Sequence, residues 1–473
     1  MSRRAGDGPA KAEVAEIRGP LLVVTGVDGV GWDEVVRIRG AGPPRHGLVL
    51  EVDGDLAVVQ VFEGTEGLAP GGTDVTFEGR TMDVPVGEAW LGRVCDGRGE
   101  PRDGGPPVLT PERADVTGLP LNPVHRLPPA EPVVTGVSAI DAFTTLVRGQ
   151  KLPVFSVAGL PHLTLATQVA AQATAAGEPF AVVFAGLGLT APDAAEVRDA
   201  LEERAAAGEL VLLLNLAEDP VIERILTPRI ALTVAEDLAF TRGRHVLVVM
   251  ADMTSYCEAL REVSAARGEL PGRRAYPAYL YSDLASLYER CGRIRGVPGS
   301  VTVVPLLTMP AGDITHPVPD LTGYITEGQI VLSAEVASRG RYPPVDALSS
   351  LSRLQRKGSG PGRTREDHLP LAGQLLAALA RSQEVRGIAE LVGAGSLSPV
   401  DQRYLRFRDR LEALLLDQGR DEARTLDETL DRGWRALADL PREDLTMVPT
   451  AVLDARLPAG GGTGITVGIA TEG

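Results

Sequence analysis

Lysine is almost absent from this 473-residue chain, which contains only Lys11, Lys151 and Lys357. None of them lies in a Gly-Lys-Ser or Gly-Lys-Thr sequence, the end of the phosphate-binding loop G-x-x-x-x-G-K-[ST]. In such a loop the lysine contacts the β- and γ-phosphates of a nucleotide, and the hydroxyl binds Mg²⁺. The chain therefore has no working phosphate-binding loop, and we expect it not to hydrolyse nucleotides by itself.

Cysteine and long apolar runs are also scarce. The three cysteines, Cys95, Cys257 and Cys291, are odd in number and widely spaced, which indicates reduced thiols in a cytosolic protein and no metal site. Apolar runs such as residues 210–216 and 245–250 are too short to span a bilayer. The N-terminal residues lack the apolar core of a signal peptide. Any association with a membrane must therefore come through partners.

Basic residues are outnumbered, with 47 Lys and Arg against 63 Asp and Glu and a net charge of −16. A duplex nucleic acid needs a basic face, so the charge argues against nucleic acid as a partner. Aromatic residues are few, at 4%, whereas 54 Gly and 36 Pro provide for many tight turns. The length suggests about three domains.

The N-terminal part consists of short apolar runs separated by turn residues such as Asp53-Gly54-Asp55. Close, even spacing of such runs predicts a small β-barrel, which we place at residues 13–87 behind a disordered segment at 1–12. The runs are residues 21–24, 34–38, 48–52 and 56–61. A connector rich in Pro and Gly follows at 97–128. It is too long for a simple loop and is expected to pack along the next domain.

Residues 88–368 form the largest predicted domain, in which apolar strands alternate with helices. This alternation predicts a parallel sheet covered by helices on both faces. The predicted strands are 180–184, 210–216, 246–250 and 301–307, and the predicted helices are 192–207, 220–240 and 258–266. Ligands of such sheets bind beyond the carboxyl ends of the strands, where residues 156–160 and 251–254 fall.

The strand pattern stops near residue 369. Residues 369–455 are predicted to form a helical bundle, with amphipathic helices at 371–391, 401–416, 426–437 and 441–453, and residues 456–473 a flexible tail. The fold class is therefore multidomain α/β. A small β-barrel comes first, a parallel-sheet nucleotide-fold domain follows, and a helical bundle ends the chain.

A degenerate phosphate-binding loop lies at residues 148–164, predicted as a buried strand, a tight turn and a helix from Pro161 to Gly177. The strand ends near Ser156, and Gly159 is followed by Leu160 and Pro161 where a working loop has lysine and a hydroxyl residue. Proline also removes one N–H that would face a phosphate. By itself the segment is equally compatible with a plain strand–turn–helix corner.

Asp252 ends the apolar run 245–251. This is the form of a Walker B element, in which the carboxylate binds Mg²⁺, although apolar strands also end in aspartate to form turns. Asp313, His316 and Asp320 form a second polar cluster. Turn and cap roles of Asp313 and Asp320 beside Pro317 and Pro319 explain this cluster better than a metal site, because one histidine does not make a metal site.

Arg353 follows Ser352 on a predicted turn, just before a loop rich in glycine. A guanidinium is always charged and binds phosphate oxygens with two donors, so Arg353 is a candidate arginine finger for a neighbouring subunit. In isolation, an arginine in a chain this rich in arginine is more simply a solvated surface residue.

Ten segments, in order over most of the chain, carry a common pattern. They are 135–141 (TGVSAID), 146–153 (LVRGQKLP), 159–162 (GLPH), 252–254 (DMT), 269–274 (ELPGRR), 307–310 (LTMP), 313–317 (DITHP), 320–330 (DLTGYITEGQI), 351–354 (LSRL) and 364–368 (TREDH). Together these segments resemble one family, the regulatory B (beta-chain) subunit of V/A-type rotary ATPases and ATP synthases. In this family, a phosphate-binding loop without lysine distinguishes the regulatory subunit from the catalytic subunit.

The resemblance implies a RecA-like central domain and a place in a ring of alternating catalytic and regulatory subunits that moves H⁺ or Na⁺. It implies that Arg353 is the arginine finger of the catalytic neighbour's site, that Ser352 and Tyr324 lie at that interface, and that Asp252 is structural. ATP or ADP with Mg²⁺ would lie at the interface, with no cofactor or metal held tightly by this chain. The implied partners are the catalytic A (alpha-chain) subunit, the rotor shaft and the peripheral stalk, at the cytoplasmic face of the membrane.

The loop departs from the family pattern Ser-Gly-Ser-Gly-Leu-Pro-His-Asn. Val157 replaces a glycine whose missing Cβ would let a ligand approach the backbone closely, and Leu163 replaces a polar side chain. We therefore expect no tight nucleotide binding at this loop.

Two other hypotheses compete with the regulatory subunit. An independent nucleotide-driven enzyme, such as a ring helicase or a secretion ATPase, would need the missing lysine and would show ATPase activity in the chain alone. A pure interaction scaffold would have lost all contact with catalysis, and the retained Ser352-Arg353 pair argues against that loss.

Overall fold

The computed structural model describes residues 10–457 and divides them into two compact units. The first unit comprises residues 10–129 and Arg148–Gln329, and the second comprises Ala130–Val147 and residues 330–457. The predicted segments at 1–9 and 458–473 lie outside the described residues. The domain limits proposed from the sequence remain predictions.

A closed six-stranded barrel begins the first unit, with the order β1-β2-β5-β4-β3-β6. Its strands are β1 (Ala10–Arg18), β2 (Leu21–Thr25), β3 (Glu34–Arg39), β4 (Arg45–Asp53), β5 (Leu56–Val61) and β6 (Asp74–Thr81). Alternation places Val36 and Ile38 in the barrel core and leaves Arg37 exposed. The small barrel is confirmed. The expectation of disorder at 10–12 is wrong, because β1 pairs there with β6.

Short elements follow the barrel: β7 (Asp83–Pro85), β8 (Val94–Asp96), β9 (Arg113–Asp115), β10 (Arg126–Leu127), β11 (Pro132–Val133), α1 (Ser138–Phe143) and β12 (Leu146–Val147). In the first unit, β7 pairs with β9, and in the second unit β11 pairs with β12. Within the first unit the connector packs along the nucleotide-fold domain as expected. Leu121 N–H donates to Glu289 O (2.9 Å), and Arg290 Nη1 donates to Val116 O (3.0 Å).

A parallel sheet with the order β13-β18-β16-β14-β15-β8 forms the centre of the first unit. Its elements are β13 (Val154–Val157), α2 (His162–Gln172), β14 (Phe180–Leu189), α3 (Ala191–Ala200), α4 (Glu202–Ala206), β15 (Leu210–Leu216), α5 (Val221–Glu236), β16 (His245–Ala251), α6 (Met253–Ala266), α7 (Leu280–Tyr288), β17 (Gly292–Ile294), β18 (Ser300–Met309) and α8 (Pro317–Ile325). Strand β17 adds to β18 antiparallel. Every residue of β16 is buried, as expected for a strand covered on both faces. The parallel-sheet prediction is confirmed.

Several helix limits differ from the sequence prediction. Helix α2 starts at His162 and ends at Gln172 rather than at Gly177, because the guanidinium of Arg204 caps its last turn with bonds to Ala170 O, Ala171 O and Ala173 O (2.9–3.0 Å). The helix predicted at 192–207 is two helices, α3 and α4, which meet at Leu201. Helix α6 starts five residues before the predicted 258, because Asp252 caps it.

The later elements are β19 (Gly328–Val331), α9 (Ala334–Ser338), β20 (Leu351–Ser352), α10 (Gln355–Gly358), α11 (His368–Val392), α12 (Pro399–Leu411), α13 (Leu426–Leu437) and α14 (Thr450–Arg456). The predicted C-terminal helical domain is confirmed, and Thr425 with Glu428 forms a capping box at α13. The helix predicted at 441–453 is wrong. A 3₁₀ turn (Arg442–Asp444) and the later α14 replace it, because Pro449 disfavours a helical residue before it.

Candidate functional site

The degenerate loop lies at the carboxyl end of β13, where the sheet predicts a ligand site. Ser156 is fully buried, and its Oγ donates to Val157 O (3.0 Å). Gly159 has a φ of +85°, and a Cβ added there would meet no atom within 4 Å. The glycine is therefore needed for the left-handed backbone of the turn and not for close packing.

The loop uses its own N–H groups. Leu160 N–H donates to Val157 O (3.3 Å), and His162 N–H donates to Leu160 O (2.8 Å). Pro161, the residue that caps α2, has no N–H and makes no side-chain cap bond. A phosphate at the start of a helix needs these N–H groups pointing toward it. Leu160 and His162 therefore use their N–H groups within the loop, and Pro161 has none to direct toward a phosphate.

Asp252 is fully engaged in holding strand ends together. Its Oδ1 accepts from Thr254 N–H (2.7 Å), and Thr308 N–H donates to Oδ2 (3.0 Å) and Oδ1 (3.2 Å). Thr254 Oγ1 donates in turn to Thr308 O (2.8 Å). Thr308 is the register partner of Ser156, so the loop and Asp252 lie at one edge of the sheet. The carboxylate caps α6 and joins β16 to β18.

Lys151 is the lysine nearest the loop in sequence, but it lies toward the other edge of the sheet. It precedes β13 and pairs with Val303, on the order of 20 Å from the turn at 3.3 Å per extended residue. Its buried ammonium contacts Glu289 (2.7 Å) and Glu327 (3.2 Å). Burial raises the pKa of Glu289, but the hydrogen bonds and charges of Lys151 and Arg126 outweigh this effect, and the pKa is lowered. Lys151 therefore cannot replace the missing loop lysine.

Arg353 belongs to the second unit and follows β20 on an anchored turn. The side chain is exposed, and Leu354 N–H donates to Ser352 Oγ (3.3 Å), which shapes the turn. The Oε1 of Gln355, at the start of α10, accepts from Thr145 N–H (2.7 Å), and its Nε2 donates to Ala142 O (3.3 Å). The turn is therefore fixed to the segment around α1 and β12, whereas the side chain of Arg353 is exposed.

Two other predicted features have clear positions. Tyr324 lies on α8 in the first unit and is 73% exposed. Asp313 accepts from Thr315 N–H (2.9 Å) and from Thr315 Oγ1 (2.6 Å), and His316 caps α8. The hydrogen bonds from Thr315 and from Arg274 lower the pKa of Asp313 to about 2. Asp313 has the expected turn role, whereas α8 is capped by His316 and not by Asp320, whose carboxylate accepts from Arg273 Nη1 (3.2 Å).

One polar group at the same edge of the sheet was missed from the sequence. Asn215, buried near the end of β15, accepts at Oδ1 from Gly188 N–H (3.1 Å) and from Arg224 Nε (2.9 Å). Burial lowers the pKa of Arg224. The signal in the sequence is an asparagine inside an otherwise apolar strand. Its role is to hold the ends of β14 and β15 together, as Asp252 does for β16 and β18.

No helix among residues 10–457 is both long and apolar enough to cross a membrane. The same described residues contain no group of three or more His, Cys, Asp or Glu side chains placed to hold a metal ion.

Asp252→Ala is expected to lower the free energy of unfolding by about 1–2 kcal/mol, because a helix cap and a strand tie are lost. Asp252→Asn keeps the cap oxygen and is expected to lose less. Denaturant unfolding of the purified chain measures both. A Mg²⁺-ligand role would be indicated if Mg-ADP stabilised the wild-type chain and this stabilisation vanished in Asp252→Asn.

Three family models match consecutive parts of the chain. The ATP synthase alpha/beta family beta-barrel domain matches residues 14–79, and the nucleotide-binding domain of the same family matches residues 136–352. The C-terminal domain of V and A type ATP synthase matches residues 357–457. The matches cover the barrel, the sheet and the helical part in the order observed.

Individual proteins agree with these models. The chain is 55% identical over 438 residues to the B subunit of the A-type ATP synthase from Aeropyrum pernix, an alignment that covers 92% of this chain and 95% of that protein. Among solved structures, it is similar to the ATP synthase subunit NeqB from Nanoarcheaum equitans, with a TM-score of 0.71 and 36% identity. That match covers 89% of this chain and all of the other.

Proposed function

The chain belongs to the ATP synthase alpha/beta family and is a V/A-type B subunit of an ATP synthase complex, and from this premise we propose that it is the non-catalytic, regulatory subunit. The observation that carries the proposal is the state of its loop. The loop has no lysine, and Leu160 and His162 use their N–H groups within the loop. The loop therefore lacks the charge for a β- or γ-phosphate, and Leu160, Pro161 and His162 offer no N–H donor to one.

We propose further that Arg353 completes the catalytic site of a neighbouring A (alpha-chain) subunit. Its guanidinium is permanently charged and carries a planar fork of donors suited to phosphate oxygens. The bonds between Gln355 and Thr145 hold the turn in place, so little ordering is needed when the phosphate arrives. ATP or ADP with Mg²⁺ would then lie at the interface, bound mainly by the neighbour.

Ser352 and Tyr324 complete the proposed interface. Ser352 Oγ fixes the backbone just after Arg353, and the exposed phenol ring of Tyr324 is the kind of aromatic surface that protein interfaces use. The rotor shaft and the peripheral stalk would be further partners, and the subunit would lie at the cytoplasmic face of the membrane without entering it. The complex would move H⁺ or Na⁺.

The test is ATP turnover by the purified chain, alone and then assembled with its catalytic partner. We expect no turnover by the chain alone and turnover in the assembly, because the lysine and Mg²⁺-binding hydroxyl come from the partner. Turnover by the chain alone, at a rate that survives further purification, would contradict the proposal and favour an independent ATPase. An assembly formed only with partners lacking a working phosphate loop would favour a scaffold.

A further inference from the structure

The short helix α10 begins two residues after Arg353, and Thr145, the residue before β12, holds it at both ends. Gln355, the first residue of α10, donates from Nε2 to Thr145 Oγ1 (3.1 Å). Ser359, the residue after the helix, donates from Oγ to the same oxygen (2.9 Å). All of these residues belong to the second unit. One hydroxyl therefore joins the two ends of the helix that follows the proposed finger.

The hydroxyl of Thr145 uses its full hydrogen-bonding capacity, which is one donor and two acceptor positions. Its proton is donated to Asp141 O (2.8 Å) in α1, and its two lone pairs accept from Gln355 and Ser359. A further bond from Thr145 N–H to Gln355 Oε1 (2.7 Å) fixes the orientation of the amide. The threonine is only 2% exposed, so water does not compete for these bonds. The position of α10 relative to α1 is therefore set by this one side chain and its partners.

Close packing at Gly358 limits α10 on the side of β12. A Cβ added to Gly358 would lie 2.6 Å from Val147 Cγ2, and Val147 is fully buried. The backbone of Gly358 is not left-handed, so the glycine is needed for this close approach and not for its conformational freedom. The helix thus cannot tilt toward β12, and the bonds to Thr145 prevent it from tilting away.

The loop after α10 is tied to the same part of the chain. Ala142 O accepts from Gln355 Nε2 (3.3 Å) and from His368 Nε2 (3.0 Å). Because a carbonyl oxygen only accepts, the proton of the neutral imidazole is on Nε2, and Nδ1 accepts from Thr364 Oγ1 (3.0 Å). Thr364 Oγ1 in turn accepts from Gly360 N–H (2.7 Å). Burial lowers the pKa of His368, which favours the neutral form that these bonds require.

We propose that Thr145 is a positioning residue for Arg353. Its hydroxyl orients α10, and α10 orients the turn from which the exposed guanidinium extends toward the γ-phosphate of the neighbour's nucleotide. The inference rests on the proposed finger function of Arg353. A bidentate contact with phosphate oxygens depends on accurate placement, and a displacement of about 1 Å can reduce the rate about 100-fold. The side chains of Arg356 and Lys357 within α10 are exposed, so the anchoring of this helix comes from its two ends.

The first experiment measures ATP turnover by complexes assembled from the catalytic partner and the full-length chain carrying Thr145→Val, which removes the hydroxyl at nearly constant volume. We expect kcat to fall by about 10- to 100-fold, as for a misplaced catalytic group, with little change in KM. Thr145→Ser keeps the hydroxyl and should recover most of the lost turnover. The matched control is Thr144→Val, because Thr144 is equally buried but donates to Ile140 O (3.3 Å) in the preceding turn. Its turnover should stay within about twofold of the wild type.

A double mutant distinguishes positioning of Arg353 from a general structural role. If Thr145 acts through Arg353, Thr145→Val should cause no further loss in a complex that already carries Arg353→Ala. Losses that multiply in the double mutant would overturn the inference. So would full turnover with Thr145→Val in a complex that loses turnover with Arg353→Ala. Full turnover with Arg353→Ala itself would instead refute the finger function on which the inference rests.

Gly358→Ala tests the same displacement without removing a hydrogen-bonding side chain. The added methyl group pushes α10 away from Val147, so kcat should fall, and this loss should also disappear in the Arg353→Ala background. Gly387→Ala is the control, because Gly387 lies in α11 and a Cβ there would meet no atom within 4 Å. Equal turnover by the Gly358→Ala and Gly387→Ala complexes would show that the placement of α10 does not control Arg353, and would overturn the inference.

Discussion

Arg353→Ala is expected to reduce ATP turnover by the assembled complex by about 10³-fold or more, the range measured for arginine fingers in nucleotide hydrolysis. The reason is that the guanidinium stabilises charge on the γ-phosphate mainly in the transition state, so its loss raises the barrier more than it weakens substrate binding. The value of kcat should fall while KM changes little. The measurement is steady-state turnover of complexes assembled in parallel with wild-type and variant chains.

Two controls make this result specific. Arg356→Ala removes an exposed guanidinium three residues further along the chain, in α10, and is expected to leave turnover within about twofold, as for a solvated surface residue. Arg353→Lys keeps the charge but loses the bidentate geometry, so it should recover only a small part of the activity. Full turnover with Arg353→Ala, in complexes of normal subunit composition, would refute the finger assignment.

Arg290→Leu is expected to destabilise the first unit by about 3–5 kcal/mol, the cost of breaking a buried ion pair by removing one partner. The Arg290 side chain is fully buried, and its Nε (2.8 Å) and Nη2 (2.7 Å) donate to Glu236. Its Nη1 donates to Val116 O (3.0 Å), so the residue ties the connector to α5. A Cβ added at Gly118 would overlap the guanidinium, which shows how closely the connector backbone approaches it.

Chemical denaturation, followed by the shift of the unfolding midpoint, measures this effect. Arg198→Ala is the matched control, because Arg198 forms an ion pair with Asp199 (3.2 Å) in which both side chains are largely exposed. Such a pair contributes at most about 1 kcal/mol. An Arg290→Leu chain with the midpoint of the wild type would show that the connector is held by its apolar contacts and not by this guanidinium.

The order of strands and helices could be predicted because it depends on local patterns. The largely apolar runs of β15 and β16 mark strands buried on both faces, and the helix predicted at 426–437 matched α13 at both ends. The prediction of helix ends was wrong where a residue distant in sequence determines the end. Arg204, more than thirty positions away in sequence, caps the last turn of α2. The helix propensities of residues 173–177 contain no information about that contact.

The features of the candidate site also divide into those that the sequence predicts and those that only the folded structure shows. The amino-acid sequence establishes the lack of a loop lysine, the proline after Leu160 and the arginine after Ser352, because each is a fact about which groups the chain can supply. Which groups are already occupied depends on folding. The N–H groups of Leu160 and His162 donate within the loop, and the two oxygens of Asp252 accept from Thr254 and Thr308. The turn that carries Arg353 is anchored by Gln355, which bonds to Thr145, 210 positions away in sequence.

A pocket beside β5, between the barrel and the helices α5 and α6 of the first unit, has no counterpart in any sequence motif. Its carboxylates come from the barrel, from the loop after β15 and from α6, and only the packing of the barrel against α5 and α6 brings them to one wall. Gln60 is an ordinary strand residue until that packing buries its amide oxygen away from every donor among the described residues. Composition and motif limit the chemistry that a chain can perform, whereas desolvation and long-range hydrogen bonding decide which of its polar groups remain available to a ligand.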